Sequence, residues 1–271
     1  MNVSNYDWIV VGGGISGIAV AEILCREDKS VLLIEKKELL AAETSKQFHE
    51  WVHSGALYTL APDNLLTLRF LLGATDDLLK FYRSFPRMNL VGSENGVAAS
   101  DYGWFNSERI DFKYRIRKLN PIWMALVSRS ISIIDLIDQH DWLRRKAGSE
   151  YGRNELLIHY WTKHIWKQLS TSGKFYTVTS PDITMNSRLL LQDLINASVA
   201  KGLEIIVGEK VLKIDESTNR VKVTTDNCEY HSNNVVICSP DVIASEYDMP
   251  IKNGFAPIAI VENVPENEVS F

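Results

Sequence analysis

The chain has 271 residues, of which 45% are hydrophobic and 23% charged, with 29 Lys and Arg against 34 Asp and Glu. That length suits one large domain or two small ones, and the apolar share can fill a core. The composition excludes a disordered tail, a collagen-like chain and a disulfide scaffold, and a net charge of −5 speaks against nucleic acid as the main partner.

Taken in order, Asp7-Trp8-Ile9-Val10-Val11 is an apolar run that predicts a short buried strand. Gly12-Gly13-Gly14-Ile15-Ser16-Gly17 follows it. A helix is predicted over 15–26, with Ile15, Ile18, Ala19, Ile23 and Leu24 on or near one face. Glu27-Asp28-Lys29 connects it to a second apolar run, Val31–Ile34, which ends at Glu35. A continuous run suits a parallel strand covered on both faces. Strand, turn, helix and strand within about 30 residues make a βαβ unit.

Spacing of Leu65, Leu68, Leu72, Leu79 and Tyr82 predicts a helix over 65–85. Pro86, Gly92, Gly96 and Gly103 break the next stretch into loop and short strands. Residues 101–175 carry thirteen Lys and Arg against eight Asp and Glu, with Trp104, Phe105, Trp123, Trp142, Trp161 and Trp166 among them. This stretch reads as an inserted lobe, with a helix expected over 153–170. A helix is predicted from Leu189 through Val199, ending near Gly202. Strands are predicted at Glu204–Val207, Val211–Ile214, Arg220–Thr224 and Val235–Cys238, the last stopping at Ser239-Pro240.

Cys25, Cys228 and Cys238 are odd in number and lack CxxC spacing. They read as buried or inert thiols in a reducing compartment. The chain reaches its glycine-rich turn by residue 12, without the pattern of a signal peptide, and has no apolar stretch of about 18 residues. A cytoplasmic protein without a membrane span is expected.

Gly12-x-Gly14-x-x-Gly17 follows a strand, opens a helix and is followed by Glu35 at the end of the next strand. That context is the dinucleotide-binding fingerprint. Gly12 allows the tight turn, Gly14 lets the backbone approach a pyrophosphate, and Gly17 lets helix pack on strand. The helix N-terminus offers N–H groups and partial positive charge to phosphates. Glu35 is placed to accept hydrogen bonds from ribose hydroxyls. Periodicity does not separate FAD from NAD.

The opening Asp7–Gly17 resembles that of the D-amino-acid-oxidase-like FAD-dependent oxidoreductases. The likeness extends to Glu35-Lys36, Glu43-Thr44-Ser45 and His53-Ser54-Gly55-Ala56-Leu57-Tyr58, then to Asp182–Leu191 and Gly202–Ile205. It implies an α/β fold. A Rossmann-type domain with a parallel sheet and an antiparallel β-meander would span 1–85 and 180–250. An inserted α+β substrate lobe would span 86–179 and 251–271. It implies FAD held by Gly12, Gly13, Gly14, Ile15, Ser16, Gly17, Glu35, Lys36, Thr44, Ser45, Ser54, Gly55, Val211 and Ser239. The implied reaction oxidises a small amine or 2-hydroxy acid by hydride transfer to flavin. A partner-dependent or inactive dinucleotide-binding fragment and an NAD-dependent dehydrogenase are the alternatives.

His53 falls where a flavin-proximal base is expected. His49 lacks further ligands for a metal, and His159 and His164 read as helix-surface residues. Arg109, Lys113, Arg115, Arg117 and Lys118, interleaved with Phe112 and Tyr114, read as a solvated strand face. Two departures from the family stand out. Lys46–Trp51 is bulky where small residues are usual, and one glycine, Gly254, follows Ser239. The second departure leads us to expect a truncated chain or one completed by a second chain.

Overall fold

The computed structural model describes residues 5–47, 51–52, 58, 66–67, 71, 77–78, 80–89, 103–115, 175–216 and 220–250. In chain order the elements are β1 (Asn5–Val11), α1 (Ile15–Arg26), β2 (Val31–Ile34), α2 (Thr44–Gln47), β3 (Trp51–Val52), a 3-10 turn (Pro86–Asn89), β4 (Phe105–Arg115), β5 (Phe175–Met185), α3 (Ser187–Ala200), β6 (Glu204–Ile206), β7 (Val211–Asp215), β8 (Val221–Thr225), β9 (Glu229–Ile237) and α4 (Pro240–Tyr247).

The chain divides into two units, Met1–His49 with Ser187–Ile258, and Glu50–Asn186 with Ala259–Phe271. These bounds differ from the expected 1–85 with 180–250 and 86–179 with 251–271. The physical reason is β3, which pairs with β5 in a sheet of its own.

The first unit is built on a six-stranded sheet in the order β6-β2-β1-β9-β8-β7. β6, β2, β1 and β9 run parallel, and β8 and β7 follow as an antiparallel meander. Strands alternate their side chains between two faces. On one face Ile9, Val11, Leu32 and Ile34 cluster with Val211, Ile214 and Val223 of the meander. β7 lies three places from β1 in the sheet order, so the meander curls back over that face. On the other face Val10, Val31 and Leu33 meet Ala21 and Cys25 of α1. Both faces are thus dry, which is why β1 and β2 read as unbroken apolar runs.

α1 buries Gly17, Ile18, Ala21, Glu22 and Cys25. Ile15 and Ile23, expected on the inner face, are exposed. Ile23 lies five residues past Ile18 and so points about 140° away from it. Glu22 is buried yet paired, its carboxylate taking Arg26 Nη2 at 2.5 Å and Nε at 3.0 Å.

Gly12 has φ +105°, and a side chain there would press on the Cys238 carbonyl at 3.0 Å. A Cβ on Gly17 would stand 1.8 Å from the Gly12 carbonyl oxygen. Only bare backbone lets α1 approach the turn this closely.

In the second unit the sheet order is β3-β5-β4. β4 is the strand expected around Arg109–Arg115; Arg117 and Lys118 lie outside the described residues. β5 is missed by sequence reading because Pro181 sits inside it. Ile110 pairs with Ser180 and Arg109 with Ile183, so Pro181 and Asp182 form a bulge where no ladder bond is lost. Trp104 is 1% exposed and packs its ring against Tyr82 and Phe85, with centroids at 5.9 and 5.3 Å. The helix expected over 65–85 is described at 66–67, 71, 77–78 and 80–81, and the chain turns from Tyr82 onward. The helix expected over 153–170 lies outside the described residues.

Gly17→Ala should lower stability by about 1–3 kcal/mol, because the obstructing atom is backbone and cannot swing aside. Gly14→Ala should cost less, since its Cβ meets only Ser45 Oγ at 3.5 Å. Urea unfolding of the two variants checks the order; equal losses would contradict it.

Candidate nucleotide site

A cavity of about 850 Å³ opens at the carboxyl end of β1. Here β1 lies between the parallel strands β2 and β9, and open α/β sheets bind ligands outside the carboxyl ends of such strands. Its wall holds Gly12, Gly14, Ile15, Ser16, Glu35, Lys36, Thr44, Ser45, Val211 and Ser239, ten of the residues singled out from the sequence. Gly13 and Gly17 stand outside that wall. Gly13 faces Glu35 and Leu40, and Gly17 packs on Gly12. His53, Ser54 and Gly55 lie outside the described residues.

α1 opens at Gly14 with extended backbone, no side-chain cap and no acidic residue in its first turn. The positive end of the helix is therefore not neutralised by its own carboxylates. Ser45 Oγ accepts the Ile15 N–H at 3.0 Å and ties α2 to this end. Gly14, Ile15 and Ser16 lie in the wall at this end of the helix, the kind of place where helix N-termini can hold anions.

Glu35 is 9% exposed. One carboxylate oxygen accepts the Gly13 N–H at 2.5 Å and the other the Lys37 N–H at 2.9 Å. The residue thus clamps the glycine turn to the end of β2. Each oxygen has a second lone pair for a ribose hydroxyl. The Glu35 carbonyl in turn accepts the Glu209 N–H at 3.0 Å.

Sequence reading missed Lys37, Glu43, Glu209, Lys210 and Asp241, all in the wall. It also missed α4, although Pro240 at the first turn is a helix-start signal. Lys36 Nζ meets Asp241 Oδ2 at 2.7 Å and Glu43 at 3.6 Å, and Lys37 meets Glu43 at 3.3 Å. Lys36 follows β2 and Asp241 follows β9, so their bridge spans the end of β1 between them. The hydrogen bond from Lys36, then its charge, holds the Asp241 carboxyl below the usual aspartate range. The same bond raises Lys36.

Cys238 is half-buried in the wall and its thiol is pushed up by burial. Cys25 is buried and pushed up to about 11, by burial and then by Glu22. Cys228 is exposed, contrary to expectation, because it lies in the turn between β8 and β9. Among the described residues no group of three or more His, Cys, Asp or Glu is placed to hold a metal, and no helix is long and apolar enough to cross a membrane.

A family model described as FAD dependent oxidoreductase matches residues 7–251. The chain belongs to that family. The fold is also that of solved members of this class. L-alpha-glycerophosphate oxidase from Mycoplasma pneumoniae, solved with FAD bound, is 17% identical, with TM-score 0.51, covering 86% of this chain and 53% of that one. Glycine oxidase from Geobacillus kaustophilus is 12% identical, with TM-score 0.53, covering 89% and 56%. L-proline dehydrogenase from P. horikoshii is 14% identical, with TM-score 0.55, covering 92% and 57%. This chain therefore spans about half the length of these structures. UDP-galactopyranose mutase of Mycoplasma genitalium is 34% identical over 59 residues, 19% of this chain and 15% of that protein. None of these likenesses supports a second chain.

Glu35→Ala should destabilise the protein with no nucleotide present, by about 1–3 kcal/mol, because it strands the Gly13 and Lys37 N–H groups. Unfolding of the apo form measures this; an unchanged midpoint would reduce Glu35 to a ligand contact. Asp241→Asn should cost under about 1 kcal/mol, since the bridge is exposed. That contribution is complete above the normal aspartate pKa of about 3.9 and fades as pH falls through the lower folded value. It also fades at high pH as Lys36 deprotonates through its raised value. Melting curves of both proteins should converge once the pH falls below the lowered Asp241 value, and also in about 1 M salt.

Proposed function

We propose that the first unit holds FAD, with its ADP half in the cavity beside β1, and that the protein of which this chain is part or whole oxidises a small amine or 2-hydroxy acid. One observation carries the reading. A roomy cavity joins a helix N-terminus with no acidic residue in its first turn to a buried carboxylate at the next strand end. Phosphate, ribose and base need those features in that order. Family membership supports flavin over nicotinamide.

Four groups of residues would share the work. Gly14, Ile15 and Ser16 would hold the pyrophosphate, Glu35 the ribose, and Val211 the base. Lys36 and Asp241 would close over the middle of the ligand. Bound there, the flavin supplies a two-electron acceptor for hydride from a substrate C–H next to nitrogen or oxygen. The protein's share is to hold the ligand extended and keep the site in one geometry.

The test is spectroscopic. The purified chain, supplied with FAD, should show flavin absorbance that persists through gel filtration and bleaches with a suitable amine or 2-hydroxy acid. Gly14→Val should lose the flavin and keep the fold, because the space beside Gly14 holds only Ser45 Oγ. Stoichiometric FAD in that variant would overturn the assignment, and quenching by NADH without flavin binding would favour a dehydrogenase.

A further inference from the structure

A row of alternating charges lines the mouth of the cavity. Lys37 meets Glu43 at 3.3 Å, Glu43 stands 3.6 Å from Lys36, and Lys36 meets Asp241 at 2.7 Å. All four residues lie in the wall. Their side chains are between 32% and 67% exposed, whereas Val11, Ile34 and Glu35 of the same wall are buried. The strand ends thus form the floor of the cavity and the ion pairs its solvent side.

The Lys36–Asp241 pair is the one that crosses. Gly12 N–H donates to the Ile34 carbonyl and Cys238 N–H to the Val11 carbonyl, so the ends of β2, β1 and β9 lie side by side. Lys36 comes two residues after Ile34, and Asp241 three after Cys238. Neighbouring strands are about 4.8 Å apart, so the pair reaches across about 10 Å of sheet end. The cavity of about 850 Å³ exists with this pair formed. Ligand sites run from about 300 to 1,000 Å³. A ligand therefore has room beneath the closed pair and meets it on the way in and out.

Lys36 also has a second seat. Glu43 comes from the segment between β2 and α2, on the Lys36 side of the crossing. An ammonium that leaves Asp241 for Glu43 stays paired, yet no longer reaches α4. An exposed pair costs little to break, so the exchange is easy.

We propose that Lys36 is a latch on the nucleotide cavity, seated on Asp241 when the site is shut and passing to Glu43 when a dinucleotide enters or leaves. This rests on the nucleotide-site reading above and adds the control of cofactor exchange. The sign of the effect separates a latch from simple charge repulsion. A carboxylate beside a diphosphate repels it, so by repulsion alone the loss of Asp241 would slow release. By the latch it speeds release.

The experiment loads the full chain with FAD and follows release by the return of flavin fluorescence on dilution. Asp241→Asn should release FAD about two- to fivefold faster than wild type, the factor an exposed pair contributes. Glu43→Gln, which removes the second seat, should release it more slowly. Lys201→Met breaks an exposed pair with Asp28 outside the cavity wall and should release FAD at the wild-type rate. Release from Asp241→Asn at or below the wild-type rate would overturn the proposal, as would release from Glu43→Gln at or above it. Equal acceleration in Lys201→Met would overturn it too, as the mark of a merely structural role. If wild type retains FAD and the rates follow any of these last patterns, only the latch fails. If wild type retains no FAD, the nucleotide site itself fails, and the latch with it.

Discussion

The first unit depends on one contact between two pieces of bare backbone. Where the α1 helix leaves the glycine turn, the carbonyl of Gly12 occupies the place a side chain on Gly17 would need. That approach sets the height of the helix over β1. It also aims the helix's positive end at the opening between β2 and β9. Had the helix been held off by a methyl group, its N–H groups would face the cavity from further away, and their pull on an anion would weaken.

From that turn a chain of hydrogen bonds runs outward along the cavity. The Glu35 carboxylate holds Gly13 and Lys37, the Glu35 carbonyl holds Glu209, and Glu209 holds Thr225 and Tyr230 of the meander. The two buried carboxylates would be costly alone. Each is instead met by backbone N–H groups or hydroxyls. The same bonds that stabilise the charges also fix the spacing of the wall. Stability of the fold and shape of the site thus share their interactions, and a substitution at Glu35 or Glu209 reaches both. Across the mouth, by contrast, Lys36 and Asp241 form an exposed bridge that solvent and salt weaken.

The second unit has its own logic. Trp104, Tyr82 and Phe85 form a ring cluster, and β4 and β5 form a long antiparallel pair with a bulge at Pro181 and Asp182. A family of FAD-dependent oxidoreductases with dissimilar substrates can share the first unit's site while differing elsewhere. The reaction partner of the flavin is a matter of side chains outside that site, so the cofactor is easier to assign than the substrate.

Local signals made the βαβ unit legible. The apolar runs of β1 and β2, the glycine spacing and the acidic residue at position 35 all act within a few dozen residues, through strand burial, turn geometry and helix entry. α3 and most of the meander were legible for the same reason. β5 was not, because a proline inside a strand argues against it until the bulge that holds it is known. The inner face of α1 was misjudged at Ile15 and Ile23, since apolar residues near a helix end say little about which side is covered. Lys36 could be named from the sequence, whereas Glu209 and Asp241 could not, and none could be joined to its partners. Their partners lie as far as 205 residues away along the chain. The sequence by itself determined that a glycine turn would join β1 to α1, with an acidic residue at the end of β2. Only the tertiary structure decided which distant charges and hydroxyls close around it, because through-space contacts arise from sheet order and curl, not from spacing along the chain.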